Sequence, residues 1–200
     1  MSDAKRRGLG IVSGVPAAIV GSAKLSGEAG SVKDTMIERH TMSVLVDNEA
    51  GVLARVIGLF SGRGYNIESL TVAEVDADQH VSRITVVTSG TPMIIEQIKN
   101  QLQRLVPVHS VTDLTVEGPS LEREMALVKV ASIGDKRVEA LRIADIFRAH
   151  VVDATIESFV FEMTGSTEKL NAFIGLMKPL GLADVSRTGI VAMKRGSDSN

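Results

Sequence analysis

The sequence predicts an α+β protein made of two tandem units, each with the order strand, helix, strand, strand, helix, strand. Three observations carry this. Short runs such as Met42, Val44 and Val46 alternate apolar with other residues at a period of two, as half-buried strands do. Between such runs, sets such as Leu170, Phe173, Ile174 and Met177 fall at the spacing of one helix face. The order then recurs after about 80 residues, which fits two copies of one architecture rather than a short-period solenoid.

The first unit covers 37–117. Its opening strand spans about 39–46, and a helix over about 51–62 follows, with Val52, Leu53, Val56, Ile57 and Phe60 at its apolar positions and Gly62 and Gly64 as its stop. Tyr65 to Val75 is rich in β-formers, and the cluster Asp76-Ala77-Asp78-Gln79 turns it into a strand over about 80–88, making a hairpin. Thr91 suits the cap and Pro92 the first turn of a second helix, whose buried stripe is Ile95, Ile98, Leu102 and Leu105. Val108, Val111, Leu114 and Val116 close the unit as a fourth strand. This is the split-βαβ, ferredoxin-like order, in which two helices cover one face of a four-stranded antiparallel sheet. The other face needs cover. Sheets this small commonly pair side by side or face to face, so a homodimer is expected.

Glu117-Gly118-Pro119-Ser120 reads as a linker to a second unit over 118–196, with a short tail at 197–200. There the expected elements are a strand at 121–131, a helix at about 136–149, strands near 150–156 and 158–164, a helix at about 166–178 and a strand at 184–193. Phe159, Phe161 and Met163 alternate, and Thr164-Gly165-Ser166-Thr167 marks a turn and cap. The copies differ in one place: Ser132-Ile133-Gly134-Asp135 stands where the first has an Asn-x-x-Gly turn. The second unit is therefore expected to serve another purpose.

Composition narrows the function. The chain has 200 residues, 44% of them apolar, but one Tyr, five Phe and no Trp, so its core is aliphatic. A net charge of −2 and few aromatic side chains argue against nucleic acid. The absence of Cys excludes disulfides, thiolate metal sites and cysteine nucleophiles, and fits a reducing, cytoplasmic setting. No stretch approaches the ~18 apolar residues of a membrane span. Residues 1–36 read as a disordered tail rich in Gly, Ala and Ser. Lys5, Arg6 and Arg7 before a mildly apolar stretch leave an organellar or secretory leader as the alternative, and Met36 is a further possible start. Gly8-Leu9-Gly10 with Gly14 is loosely similar to a dinucleotide fingerprint, but no strand precedes it and Pro16 sits where the helix should run.

The stretch from Asp47 to Asn66 is the candidate site. A helix N-terminus behind a glycine turn presents free backbone N–H groups and partial positive charge, which suit a carboxylate. Gly51 lets backbone and ligand approach, and Asn48 and Asn66 offer carboxamides for the polar ends of a zwitterion. The plain alternative makes Asn48 an Asx-turn residue, Gly51 a turn glycine and Asn66 a strand-entry residue. No P-loop, HExxH or Gly-x-Ser-x-Gly occurs. His40, His80, His109 and His150 lack metal-ligand spacing and read as surface or strand-edge residues. Asp76 with Asp78 reads as a solvated turn, and Glu122 with Glu124 as the exposed side of a strand. A sensor is favoured over an enzyme.

The run from Ser43 to Ser61, with Asp47-Asn48-Glu49-Ala50-Gly51-Val52-Leu53 at its centre, and the run from Arg63 to Val72 closely resemble the small, regulatory subunit of acetolactate synthase. The resemblance continues through Gln97 to Leu102, Glu122 to Val130 and Arg187 to Ile190, covering about 37–196. It implies an ACT domain followed by a second ferredoxin-like domain. It also implies a non-catalytic subunit that binds and activates the large, catalytic subunit and confers feedback inhibition by valine, with leucine and isoleucine as other candidate effectors. Thiamine diphosphate, Mg and FAD belong to that partner, and no cofactor is implied in this chain. Effector residues carried over by position are Asn48, Gly51, Val52, Leu53, Asn66 and Ile67, at an interface between two ACT domains. The alternative is an amino-acid-sensing ACT module of another regulator.

Overall fold

The computed structural model describes residues 36–197, so the N-terminal tail, with its possible leader and glycine cluster, lies outside the described residues. The chain runs β1 (Glu38–Asp47), α1 (Val52–Arg63), β2 (Ser69–Asp76), β3 (Val81–Gly90), α2 (Pro92–Gln103) and β4 (Val108–Asp113). It continues as β5 (Ser120–Ala131), α3 (Gly134–Phe147), β6 (His150–Ala154), β7 (Ser158–Gly165), α4 (Thr167–Met177), β8 (Leu182–Arg187) and β9 (Val191–Lys194). The first sheet has the order β2-β3-β1-β4 and the second β6-β7-β5-β8, so the tandem ferredoxin-like expectation holds.

In the first unit Met42, Val44 and Val46 meet Val56, Phe60, Ile84, Val86, Ile98 and Leu102 in one core. Thr91 Oγ1 accepts from the Ile94 N–H and caps α2, with Pro92 in its first turn. In the second unit Val128, Val130, Phe161, Met163, Leu170, Phe173 and Met177 do the same, with Phe161 edge-on to Phe173 at 6.0 Å. Ser166 caps α4.

Several boundaries differ from the expectation for local reasons. α1 passes through Gly62 and stops at Gly64, where the chain turns back so that the Tyr65 N–H reaches the Phe60 carbonyl at 3.0 Å. Tyr65 therefore packs edge-on against Phe60, and β2 begins only at Ser69. β4 ends at Asp113 because the next residues turn, and Val116 is exposed rather than in a strand. Leu105, expected in the α2 stripe, follows the helix and is only partly buried.

The largest difference is at the C-terminus. One strand was expected over 184–193, but the chain breaks between β8 and β9: β8 stays in the second sheet, while β9 pairs with Ser120–Arg123 at the start of β5. β9 then covers the back of the first sheet, the face attributed above to a second copy. Ile190 and Ala192 bury against Val87 and Leu114. The Ile190 N–H donates to Ser69 Oγ (2.9 Å), Thr71 Oγ1 donates to the Ile190 carbonyl (3.0 Å), and Thr41 Oγ1 donates to Glu122 (2.5 Å). This is why Thr41, Ser43 and Thr85 are buried although they alternate with the core residues.

The break depends on Gly189, whose φ of 83° is left-handed. A Cβ there would lie 2.8 Å from Ser69 Oγ and 3.0 Å from Thr71 Cγ2. Gly189→Ala is expected to lower stability by about 1–3 kcal/mol, the cost of a strained non-glycine residue, measured by urea denaturation.

A second tie joins α2, the linker and β9: Lys99 Nζ is 2.7 Å from Glu117 Oε1, and Lys194 Nζ is 3.7 Å from Oε2. The hydrogen bond from Lys99 holds the Glu117 carboxyl below its ordinary value and raises that of Lys99. A carboxyl depressed in the folded state stabilises above its unfolded value, and that contribution is lost as pH falls through the folded one. Glu117→Gln should thus lower the denaturation midpoint at neutral pH and flatten its decline on acidification. A decline as steep as that of the unsubstituted chain would count against the pair.

Candidate functional site

β1 delivers the turn before α1 into a braced position: the Asp47 N–H donates to the Pro107 carbonyl at 2.9 Å and the Asn48 N–H to the His80 carbonyl at 2.6 Å. Gly51 follows at a φ of 88° and is the N-cap of α1. It has no side chain with which to cap, no acidic residue lies in the first turn, and no atom stands within 4 Å of where its Cβ would be. The Val52 N–H makes only a long contact with the Glu49 carbonyl (3.4 Å), so the partial positive charge at the start of α1 is left without a carboxylate in its first turn. The corresponding turn of the second unit has the opposite character, because α3 carries Asp135 in its own first turn. A carboxylate suited to α1 would be repelled there.

Asn48, Gly51, Val52 and Leu53 thus cluster at the mouth of α1. Asn48 Nδ2 donates to Glu74 Oε1 on β2 at 2.9 Å, placing a carboxylate beside the turn. Asn66 and Ile67 do not join them within one chain, which corrects the expectation that Asn66 lies nearby. Asn48 is tied to His80, beside Val81 at the start of β3, whereas the Asn66 carbonyl accepts from Thr88 Oγ1 near the other end of that strand (2.6 Å). Seven residues of strand separate those anchors, about 23 Å at 3.3 Å per residue. Asn66 is exposed, and Ile67 packs against the core. β2 is an edge strand, and Leu53 and Val72 remain 37% and 44% exposed.

A second polar region was not anticipated. Glu124 is buried, not on an exposed strand face, and takes a two-pronged contact from Arg187, Nε to Oε1 at 2.7 Å and Nη2 to Oε2 at 2.6 Å. That contact raises the Arg187 pKa further, so the guanidinium stays charged. Glu122 is likewise paired, with Thr41 and with Arg39 Nη1 at 3.6 Å. Arg39, Glu68, Glu124 and Arg187 rim a cavity of about 450 Å³, with Arg39 paired to Glu68 on the first unit's side and Arg187 to Glu124 on the second's. Pairing between residues so far apart in the chain leaves no local signal in sequence. His40 is also buried rather than at the surface, its Nδ1 2.7 Å from Asp113 Oδ2. Asp76 behaves as read: its Oδ1 accepts from the Asp78 and Gln79 N–H groups at 3.0 Å, making a turn. Among the described residues no His, Asp and Glu side chains group to hold a metal, and no helix is long and apolar enough to cross a membrane.

Both halves of the chain match one family. Residues 123–196 match the family described as the small subunit of acetolactate synthase, and residues 42–110 match the AHAS small subunit-like ACT domain. A probable acetolactate synthase small subunit of Archaeoglobus fulgidus is 45% identical over 159 residues, 80% of this chain and 98% of its own. The chain belongs to the acetolactate synthase small-subunit family. The isozyme 3 small subunit of Escherichia coli is 44% identical over 79% of this chain and 96% of its own. The crystal structure of the small subunit from Thermotoga maritima, 39% identical, superposes with a TM-score of 0.73 over 80% of this chain and 99% of that one. The first unit is thus an ACT domain, and the chain stands among the regulatory small subunits of an enzyme of branched-chain amino acid biosynthesis.

Proposed function

We propose that this chain performs no reaction itself but binds and activates the thiamine-diphosphate-dependent large subunit of acetolactate synthase and confers feedback inhibition by valine. The observation that carries the reading is the uncapped start of α1 beside an open sheet edge. We assign effector sensing and dimerisation to 37–117, leaving 118–196 to other contacts, and the setting to the cytoplasm. Thiamine diphosphate, Mg and FAD would be held by the large subunit.

Two copies complete the site. Antiparallel pairing of two β2 edges about a two-fold axis brings Asn66 and Ile67 of one protomer toward Asn48 and Gly51 of the other, which reconciles the carried-over residues with their separation in one chain. The valine carboxylate caps α1 through the Val52 and Leu53 amides, and the carboxamides of Asn48 and Asn66 hold the polar ends. Ile67 and the exposed Leu53 and Val72 supply an apolar wall for the branched side chain. Because both protomers contribute, occupancy shifts how they pack, by no more than the difference in valine affinity between the two arrangements.

The purified chain should stimulate a large acetolactate synthase subunit, and valine should reverse the stimulation; a chain without effect on that subunit refutes the reading. Asn48→Ala removes one charge-assisted hydrogen bond, about 1.5–3 kcal/mol, and should weaken valine roughly ten- to hundredfold in an inhibition titration. Gly51→Asp sets a carboxylate where that of the ligand must sit, and calorimetry should detect no valine binding. Normal binding by that variant removes α1 from the site.

A further inference from the structure

The outward side of α1 and α2 carries a feature that effector binding leaves unused. α1 turns Val52, Val56 and Phe60 to the sheet and α2 turns Ile95, Ile98 and Leu102. Between the helices remains a groove of about 480 Å³ lined by Arg55, Leu59, Arg63, Gln101, Arg104 and Leu105. We propose that this groove is where the chain holds its catalytic partner, and that it receives an acidic segment with apolar residues at its centre; the proposal rests on the reading of the chain as a regulatory subunit.

Charge is the first argument. Elsewhere Arg39, Arg142 and Arg187 sit on carboxylates, and Arg123, Arg137 and Arg195 donate to backbone carbonyls. The three groove arginines do neither among the described residues; Arg83 and Arg148 also lack such partners but stand singly on other elements, whereas these three gather on one surface of a chain whose net charge is −2. Arg55 moreover lies in the first turn of α1, where a positive charge opposes the helix dipole, so helix stability does not account for it. Unanswered guanidinium groups of this kind select carboxylates.

Shape is the second. Arg55, Leu59 and Arg63 succeed one another at four-residue intervals along α1, a ridge about 12 Å long at 1.5 Å per residue. The cations are spread along the groove instead of converging on a point, and Leu59 and Leu105 form an apolar floor between them. A small anion would use one end; a peptide segment uses the length, with carboxylates at the rim and apolar side chains on the floor. The groove also runs along the helix whose first turn is proposed to take valine, so one rigid element carries both events.

The test titrates the full-length chain against the acetolactate synthase large subunit of the same organism and follows stimulation of acetolactate formation. For Arg63→Glu/Arg104→Glu the concentration giving half-maximal stimulation should rise at least about tenfold, with a flatter dependence on salt. Calorimetric valine binding should stay unchanged, and so should stimulation by Arg142→Glu on α3. Arg63→Gln/Arg104→Gln, which keeps side-chain bulk if the reversal harms folding, should give an intermediate loss. Stimulation by both pairs at the concentrations of the unsubstituted chain overturns the groove assignment. So does a loss accompanied by dissociation of the small-subunit oligomer in ultracentrifugation, which would give the groove to a second copy. An unsubstituted chain that never stimulates overturns the regulatory reading itself, a result separate from either.

Discussion

The arrangement of the molecule depends on two hydroxyl groups gripping the backbone of one residue. Ser69 and Thr71, on successive positions of one face of β2, bind the N–H and the carbonyl of Ile190. This satisfies backbone groups that the end of β8 leaves without a ladder partner, and it seats the Ile190 side chain against Val87 and Leu114. Burying one such side chain contributes about 1.5–3 kcal/mol. The hydroxyls place it in one position, because a polar sheet face covered without partners would cost more than the apolar contact returns. The ion pairs Arg39 to Glu122 and Lys194 to Glu117 lie around the same contact and add direction more than energy, as partly exposed charges do.

The two units share their strand order and differ at the equivalent helix mouths. α1 begins at a bare glycine with no acidic neighbour in its first turn, and α3 begins with Asp135 in place. Electrostatically the first start keeps its partial positive charge and the second has a carboxylate answering it. Two units of one scaffold thus differ in sign at one corner.

Much of this was legible in the sequence because it is local. Alternation placed β1, β5 and β7, helical spacing placed α2 and α4, and Thr91 and Ser166 acted as the caps their positions suggested. What escaped is what distant segments impose on one another. Period two made β1 look half exposed, yet Thr41 and Ser43 are buried, Thr41 against Glu122 at the start of β5. Glu124 looked solvated because its partner Arg187 lies 63 positions away. Asn48 and Asn66 looked adjacent since they flank one helix, but a helix of 12 residues carries the chain from one end of the sheet to the other. The glycine start of α1 was readable from Gly51; the distance between Asn48 and Asn66 was not, because distance is invisible to spacing.

β5 has two sets of partners within the second sheet, and its first part lies against the back of the first. Its first residues pair with β9 behind the ACT domain, and the remainder is the central strand of the second sheet. The boundary at Gly118 therefore looks like a seam in the chain but is no seam in the solid. A fragment cut there forfeits its own roof: Val87, Leu114 and the Ser43 hydroxyl would be bared together, and the severed half would seek any foreign strand to shelter them. Severing the modules changes what each one is.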